Sequence, residues 1–203
     1  MTLHKTDIDG VYVLEPKIFT DSRGYFFESF SERDFAWLLI EAAGNKGTSL
    51  GTLRFVQDNE SSSCRGVVRG LHFQRPPYAQ SKLVRVVSGR VLDVAVDIRK
   101  GSPTYGRYIS VELSGDNKRQ LFIPRGFAHG YSVLSETAVF QYKCDNYYAP
   151  ECEGGLLWND KTLNVDWQLS EDEVILSPKD AFRCSFKDFD SPFVFGDDLY
   201  GMD

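Results

Sequence analysis

Residues 69–74 read Arg-Gly-Leu-His-Phe-Gln and place one of only three histidines in a strand-like segment beside an arginine. Histidine has an unperturbed pKa of about 6.5, so it can accept or donate a proton near neutral pH. His72 is therefore a candidate general base, which would remove a proton from a bound substrate. The competing interpretation is a core histidine whose ring bonds a neighbouring carbonyl group, and for a single histidine that case is the more common one.

Three further residues extend this set of candidate proton-transfer groups. Lys82 opens the next apolar segment, ten residues after His72. His129 lies in a glycine-flanked segment, and Tyr142 lies in the run Phe-Gln-Tyr-Lys. Each of them alone is more readily explained as a solvated charge or a packed side chain. Together they could give one ligand a base, an acid and a cation.

The same segments give poor support for a metal centre. Metal-dependent jelly rolls of the cupin kind use His-x-His followed by a carboxylate, because two ligands on one strand face need a spacing of two. The sequence has His72 and Gln74 at that spacing instead. No Cys-x-x-Cys pair occurs, so we expect reduced structural thiols at Cys64, Cys144, Cys152 and Cys184. The sequence thus predicts a metal-free site.

Short strands separated by turn signals account for much of the chain after residue 82. Strand-like patterns cover residues 83–87, 91–98, 109–113, 121–123, 127–134 and 137–144. Glycine, proline and asparagine between them are typical of antiparallel connections. The pattern predicts a mainly β protein with an antiparallel jelly-roll sandwich or barrel and few short helices.

Side-chain alternation indicates which residues of the first segment can share a site. In an unbroken strand, His72 faces the same side as Gly70 and Gln74, and Arg69 faces the other side. Such a strand would present His72 to a ligand enclosed between two sheets. Arg69 would then lie away from that ligand.

One helix is predicted near the N-terminus. It begins at Ser31, where Asp34 occupies the position of a capping-box partner. Apolar residues follow at helical spacing, at Phe35, Leu38, Leu39 and Ala42. Residues 44–51 are polar and glycine-containing, and we predict a surface loop there.

Length and charge limit the classes of protein that fit. A chain of 203 residues, 42% of them hydrophobic, can bury one sizeable core, so we predict a single domain over residues 1–203. The net charge of −6 argues against a nucleic-acid or anionic-membrane surface. The N-terminus lacks the apolar core of a signal peptide, and no segment approaches the roughly 18 apolar residues of a membrane span. We expect a cytoplasmic protein that binds neither nucleic acid nor membrane.

Several motifs make this sequence similar to a known family. They are residues 21–28 (Asp-Ser-Arg-Gly-Tyr-Phe-Phe-Glu), 55–59, 69–74, 82–85, 126–130, 146–150, 158–160 and 177–180. The likeness runs from about Val11 to Phe182, which is most of the chain. On these motifs the sequence resembles the dTDP-4-dehydrorhamnose 3,5-epimerases, which are rhamnose-pathway enzymes with a jelly-roll fold.

The resemblance implies roles for individual residues. His72 matches the family's proton-abstracting base, and Asp180 matches the carboxylate that orients this base. Tyr142 matches the general acid on the opposite face of the sugar. Lys82 and His129 match residues that contact the sugar and can stabilise an enolate oxygen. The remaining matches contact the nucleotide or diphosphate and are Arg23, Glu28, Gln57, Asn59, Arg69, Glu153, Lys179 and Tyr148, the last of which stacks on thymine.

The implied reaction is epimerisation at carbons 3 and 5 of dTDP-4-dehydro-6-deoxy-D-glucose to give dTDP-4-dehydro-L-rhamnose. Hydrogens beside a 4-ketone are acidic because the resulting anion delocalises onto the ketone oxygen. The reaction therefore needs a base on one face, an acid on the other and a cation or donor at the enolate. It requires no cofactor. The family is homodimeric with exchanged N-terminal strands, so we expect a homodimer in which the arm of about residues 1–30 packs on a partner.

Two parts of the chain have no clear counterpart in the family. The loop over about residues 41–53 is longer than expected, and the C-terminal extension covers about residues 186–203. Three alternatives also remain. An enzyme that inverts only carbon 3 or only carbon 5 would use nearly the same residues, a non-catalytic jelly-roll module would bind nucleotide sugars without proton exchange, and the third alternative is a metal-dependent isomerase.

Overall fold

The computed structural model describes residues 1–44 and 50–201. The strands are β1 (Thr2–Lys5), β2 (Tyr12–Glu15), β3 (Phe19–Asp21), β4 (Gly24–Phe26), β5 (Gln57–Cys64), β6 (Val68–Gln74), β7 (Lys82–Ser88), β8 (Arg90–Asp97), β9 (Arg99–Lys100), β10 (Tyr108–Ser114), β11 (Gln120–Ile123), β12 (Phe127–Val133), β13 (Thr137–Cys144), β14 (Glu153–Gly155) and β15 (Phe193–Val194). Helix α1 spans Glu32–Ala43, and short 3₁₀ helices span Leu50–Thr52, Pro150–Cys152, Glu171–Glu173 and Asp180–Phe182. Each of the strands predicted after residue 82 is confirmed.

Two antiparallel sheets form the body of the protein. One has the strand order β1-β2-β11-β7-β13-β5, and the other has the order β10-β8-β12-β6-β14. Strands β3 and β4 form a separate hairpin, and β15 pairs with β9 in parallel. The prediction of a mainly β protein with antiparallel sheets is confirmed. No helix among the described residues is long and apolar enough to span a membrane.

Apolar side chains from both sheets form the core between them. Val84 and Phe140 from the six-stranded sheet pack in one buried cluster with Ala95 and Tyr131 from the five-stranded sheet. A second cluster covers the outer face of the five-stranded sheet and takes in Val94 and Val96. Alternation along β8 therefore directs its odd-numbered residues toward the space between the sheets.

Helix α1 covers the outer face of the six-stranded sheet. Ser31 begins it as predicted, with its hydroxyl accepting a hydrogen bond from the Asp34 backbone N–H at 3.4 Å. The Asp34 carboxylate accepts from Arg33 instead of closing the capping box. Phe35 is buried against Phe122 of β11, with 5.4 Å between ring centroids. Most of the predicted polar loop, residues 45–49, lies outside the described residues.

Strand β6 is interrupted by a bulge that changes which side chains share a face. His72 pairs with His129 of β12, but Arg69 pairs with Tyr131, so β6 contains one extra residue between the two pairs. Gly70 in the bulge has a φ of +131°, and a Cβ there would meet the Gly130 Cα at 2.5 Å, so only glycine fits. The expectation that Arg69 faces away from His72 is therefore wrong. The extra residue brings both side chains to the same face.

Candidate active site

A cavity of about 580 Å³ lies between the two sheets. One wall comes from the six-stranded sheet, and the other comes from β6, β14 and the segment after residue 175. All predicted site residues other than Arg23, Glu28 and His129 line it, namely His72, Asp180, Tyr142, Lys82, Gln57, Asn59, Arg69, Tyr148, Glu153 and Lys179. The fold thus gathers residues that are far apart in the sequence around one space.

His72 and Asp180 form a hydrogen-bonded pair at the wall of this cavity. The distance from His72 Nε2 to Asp180 Oδ1 is 2.5 Å, and the Ser177 hydroxyl donates to Asp180 Oδ2 at 2.9 Å. Burial acts to raise the pKa of Asp180, but the bond to His72, with support from Ser177 and Arg183, holds that pKa below its ordinary value. An ionised carboxylate only accepts hydrogen bonds, so Nε2 carries the proton and Nδ1 keeps the lone pair that a base needs.

Tyr142 faces the same cavity from the opposite sheet. It lies on β13, between Asn59 of β5 and Val84 of β7 in the register. Burial, reinforced by Cys144, raises the pKa of Tyr142 to about 12. Its hydroxyl is therefore protonated at neutral pH, and among residues 1–44 and 50–201 none accepts its proton. Tyr142 is placed to act as a proton donor to a ligand.

Lys82 supplies a cation beside Tyr142. It is the first residue of β7, and its Nζ lies 5.8 Å from the centroid of the Tyr142 ring. Burial lowers the pKa of Lys82, although electrostatic interactions with Cys144, Asp93 and Glu153 oppose that shift. No other described residue forms a hydrogen bond or ion pair with this ammonium group. It is available to an oxygen on which negative charge develops.

His129 lies behind the cavity wall rather than on it. Its Nε2 is 3.0 Å from both carboxylate oxygens of Asp93, and both side chains are buried. Burial lowers the pKa of His129 and raises that of Asp93, while the attraction between the two opposes both shifts. Asp93 was not among the residues predicted from the sequence. Its position in the middle of the apolar strand β8 could have identified it, because a carboxylate is buried in a strand only when a partner group binds it.

Glu153 gathers three donors at the outer end of the cavity. Tyr148 Oη donates to Glu153 Oε2 at 2.8 Å, Lys179 Nζ does so at 2.6 Å, and Arg183 Nη2 donates to Oε1 at 2.5 Å. Burial acts to raise the pKa of Glu153, but these hydrogen bonds outweigh it and lower the pKa to about 2. Tyr148 is 53% exposed and lines the cavity, so its ring is accessible to a planar ligand. Arg183 was not among the residues predicted from the sequence.

Polar side chains of β5 and β6 continue this outer end. Gln57 Nε2 donates to Asn59 Oδ1 at 2.9 Å, and Gln57 Oε1 accepts from the Tyr148 backbone N–H at 3.0 Å. The Arg69 guanidinium donates to Ser63 Oγ at 3.2 Å and is otherwise exposed. Arg69 and Lys179 thus add two positively charged side chains to the lining of the cavity.

Arg23 and Glu28 lie outside the cavity. Arg23 sits in the turn of the β3–β4 hairpin, where its guanidinium is paired with Asp21 and its side chain is 88% exposed. The hairpin also exposes a large part of Tyr25 and Phe26, at 58% and 70%. Both predicted nucleotide-contacting residues therefore belong to an exposed, aromatic-rich segment of the chain.

Groups of three or more His, Cys, Asp or Glu side chains arranged to hold a metal ion are absent from the part of the chain that the structure describes. The carboxylates that line the cavity pair with nitrogen groups, Asp180 with His72 and Glu153 with Lys179. Metal independence stays a prediction that activity measurements must test.

Comparisons with known proteins point to one family. The family model described as dTDP-4-dehydrorhamnose 3,5-epimerase matches residues 5–188 of this chain. A dTDP-4-dehydrorhamnose 3,5-epimerase from Shigella flexneri is 51% identical over 190 residues, which is 94% of this chain and 98% of the relative.

Solved structures of similar proteins share the fold. A dTDP-4-dehydrorhamnose 3,5-epimerase from Elizabethkingia anophelis aligns with a TM-score of 0.83 at 50% identity and covers 93% of this chain and 97% of its own. A dTDP-6-deoxy-D-glucose-3,5-epimerase from Legionella pneumophila, solved in complex with dTDP-4-keto-L-rhamnose, aligns with a TM-score of 0.84 at 49% identity and covers 93% and 94%. The jelly-roll prediction is thereby confirmed.

Proposed function

The chain belongs to the dTDP-4-dehydrorhamnose 3,5-epimerase family, and we propose how its cavity carries out the family's reaction. It is an isomerase that converts dTDP-4-dehydro-6-deoxy-D-glucose to dTDP-4-dehydro-L-rhamnose by inverting carbons 3 and 5. The observation that carries the mechanism is that His72 and Tyr142 line one cavity from opposite sheets. Inversion needs exactly two such groups, because the proton leaves from one face of the sugar and returns to the other.

The base in this mechanism is His72. Its Nδ1 accepts the proton from a carbon beside the 4-ketone, and the electron pair of the broken C–H bond moves into an enolate whose negative charge resides on the ketone oxygen. Asp180 stabilises the imidazolium that forms, since its carboxylate already bonds Nε2. The Lys82 ammonium stabilises the enolate oxygen in the low-dielectric cavity, where such an interaction is strong.

The acid in this mechanism is Tyr142. Its hydroxyl donates a proton to the opposite face of the carbon as the enolate electrons return to form the new C–H bond. Solvent then reprotonates the phenolate and accepts the proton held by His72, so the enzyme returns to its starting state. The pKa of about 12 keeps Tyr142 protonated until the transfer, so that the proton is present when the enolate forms.

The nucleotide end of the substrate belongs at the outer end of the cavity. Arg69 and Lys179 provide charge-assisted hydrogen bonds to the diphosphate, and the accessible ring of Tyr148 provides a stacking surface for thymine. Gln57 and Asn59 add amide groups that can form hydrogen bonds with the nucleobase and the sugar. Binding energy gained here holds the sugar carbons in place between His72 and Tyr142.

Incubation with dTDP-4-dehydro-6-deoxyglucose in heavy water tests this function. The prediction is deuterium at carbons 3 and 5 by NMR, with inverted configuration at both. Exchange and inversion at one carbon alone would support the enzyme that inverts a single centre. Tight binding without any exchange would support a non-catalytic nucleotide-sugar-binding module.

We propose a homodimer in which the arm of one subunit completes the cavity of the other. The exposed rings of the β3–β4 hairpin, Tyr25 and Phe26, favour burial against a partner. The same hairpin carries Arg23, and Glu28 follows it, so a partner's arm would deliver both to the nucleotide end. Mixing inactive Arg23→Ala and His72→Ala proteins tests this: exchanged arms restore activity because one site per mixed dimer is intact. Failure to restore activity in a mixed dimer would contradict it.

The four cysteines support a cytoplasmic location, which we propose on that basis. Cys64, Cys144, Cys152 and Cys184 are all free thiols. Free thiols, two of them exposed, are typical of proteins in a reducing compartment.

A further inference from the structure

The C-terminal tail, defined as residues 189–201, follows the region that the family model matches, which ends at residue 188. Much of it is ordered against the body of the protein. Phe193 is 1% exposed and starts β15, which pairs with β9. Six residues further along, the chain turns inward at Leu199 and Tyr200. These two residues connect the tail to Ser81 and Arg125 in the body of the protein.

Tyr200 enters a buried polar network. Its hydroxyl lies 2.8 Å from Ser81 Oγ and accepts a hydrogen bond from the Arg125 backbone N–H at 3.2 Å. Its ring lies 5.1 Å from the Arg125 guanidinium carbon, and the Leu199 carbonyl accepts from Arg125 Nη1 at 2.7 Å. Burial raises the pKa of Tyr200, so the hydroxyl remains a neutral donor and acceptor.

The network joins the ends of three strands. Ser81 directly precedes β7, Arg125 follows β11, and Asp145 directly follows β13. Arg125 Nε donates to Asp145 Oδ2 at 3.1 Å, and the Ser81 backbone N–H donates to Asp145 Oδ1 at 2.5 Å. The Arg125 and Asp145 side chains are only 3% and 2% exposed. A buried pair of this kind is held in one geometry only while its remaining hydrogen bonds are made.

Two of these strand ends carry the reacting groups of the cavity. Lys82 is the residue after Ser81, and it opens β7. Tyr142 lies three residues before Asp145 on β13, next to β7 in the sheet. A change in the position of Ser81 is therefore transmitted through one peptide unit to Lys82. A shift of about 1 Å in a reacting group can cost about a hundredfold in rate.

We propose that Tyr200 is a positioning residue, which through Ser81 fixes the start of β7 and so holds the Lys82 ammonium where the enolate oxygen develops. The tail then contributes to catalysis from outside the residues that the family model matches. This inference rests on the proposed function, because it assigns Lys82 its role in that reaction. The competing explanation is that Tyr200 only anchors the tail and stabilises the fold.

A double-mutant cycle between Tyr200→Phe and Lys82→Met distinguishes the two explanations. Phenylalanine keeps the ring and removes the hydroxyl, and methionine keeps the length of the lysine and removes its charge. The rate is measured as deuterium incorporation into dTDP-4-dehydro-6-deoxyglucose, with long incubations for the slow variants. The dissociation constant of dTDP is measured alongside it. Phe195→Ala is the matched control, because this tail aromatic packs on Arg99, and within the described part of the chain its ring stacks on neither Tyr200 nor Arg125.

The expected result is a loss of about tenfold in kcat for Tyr200→Phe, with an unchanged dissociation constant for dTDP. In the Lys82→Met background the same change should cost no further rate, since the group it positions is gone. The control should retain the wild-type kcat. Ser81→Ala removes the same hydrogen bond from its other end, and it should reproduce the loss without adding to that of Tyr200→Phe.

Equal losses in both backgrounds, or no loss in the wild-type background, would overturn the positioning role alone. So would a Ser81→Ala protein with wild-type kcat if Tyr200→Phe fails to fold. A wild-type protein that binds dTDP and exchanges no deuterium would overturn the proposed function, and the positioning role with it.

Discussion

His72 Nε2 and Asp180 Oδ1 lie 2.5 Å apart although the two residues are separated by 108 positions in the chain. His72 comes from β6, an inner strand of the five-stranded sheet, and Asp180 comes from a 3₁₀ helix that packs against β6. The carboxylate fixes the proton on Nε2 and thereby leaves Nδ1 free to act as the base. Loss of either partner should therefore slow the abstraction of the proton from the substrate.

Asp180→Asn should lower kcat by about a hundredfold, since the neutral amide stabilises the imidazolium poorly and no longer imposes the tautomer. The affinity for dTDP should stay near that of the wild type. Initial rates of deuterium incorporation and a dTDP titration measure the two quantities. Asp172→Asn, at an exposed position, is the matched control. An Asp180→Asn enzyme with wild-type kcat would remove Asp180 from the mechanism.

His72→Ala should abolish exchange at carbons 3 and 5 together, because one base serves both positions. A general base contributes roughly 10²- to 10⁴-fold, so the residual rate at each carbon should fall by at least that lower figure. NMR resolves the two carbons separately. Continued exchange at either carbon would reveal a second base. His129 would not be the first candidate for that base, because its side chain is buried.

Glu153 should make the protein sensitive to acid. Its side chain is 12% exposed, and its pKa is lowered from 4.5 to about 2 in the folded state. The stability it contributes is fully present above pH 4.5 and is lost as the pH falls toward 2. Between about pH 5 and pH 3, the wild type should lose roughly 2 kcal/mol more unfolding free energy than Glu153→Gln.

Urea unfolding at several pH values measures this difference. Glu151→Gln is the control, because the Glu151 carboxylate makes no hydrogen bond or ion pair with the described residues and its loss should leave the acid sensitivity unchanged. Parallel pH curves for the wild type and Glu153→Gln would mean that Lys179, Arg183 and Tyr148 do not hold the carboxylate as the structure places them.

Exhaustive chelation should leave the activity intact, since the cavity chemistry relies on His72, Tyr142 and Lys82 and its carboxylates are already paired. The rate before and after dialysis against EDTA is the measurement. Inactivation that zinc, manganese or iron reverses would replace this mechanism with that of a metal-dependent isomerase.

The pattern of apolar residues and turn signals was enough to predict the longer strands β7, β8, β10, β11, β12 and β13, since these strands each bury one or both faces. The short strands β9, β14 and β15 were not predicted. Strand β5 escaped prediction because Gln-Asp-Asn-Glu-Ser-Ser-Ser-Cys contains almost no apolar residue. It is an edge strand whose inward positions, Gln57 and Asn59, line a polar cavity instead of a core. The bulge in β6 also escaped, because it depends on close contact between Gly70 and Gly130 in another strand.

The residues of the candidate site were also predictable from the sequence only in part. His72 was recognisable from its residue type, whereas its partner Asp180 came only from the family resemblance, since no local pattern links positions so far apart. Asp93 had a local signal, a carboxylate in an apolar strand, but its partner His129 is identified only by the β8–β12 register. Tyr200 had no local signal in the sequence, because its role depends on the tail returning to the ends of strands β7, β11 and β13.

The variant Tyr142→Phe shows whether His72 and Tyr142 act from opposite faces of the sugar. The variant still contains the base, so His72 can abstract a proton and return deuterium to the same face. The reaction is run in heavy water, and NMR reads both deuterium content and configuration at carbons 3 and 5. We expect continued exchange with retained configuration and a steep fall in net epimerisation. Inversion of both carbons at near the wild-type rate would contradict it.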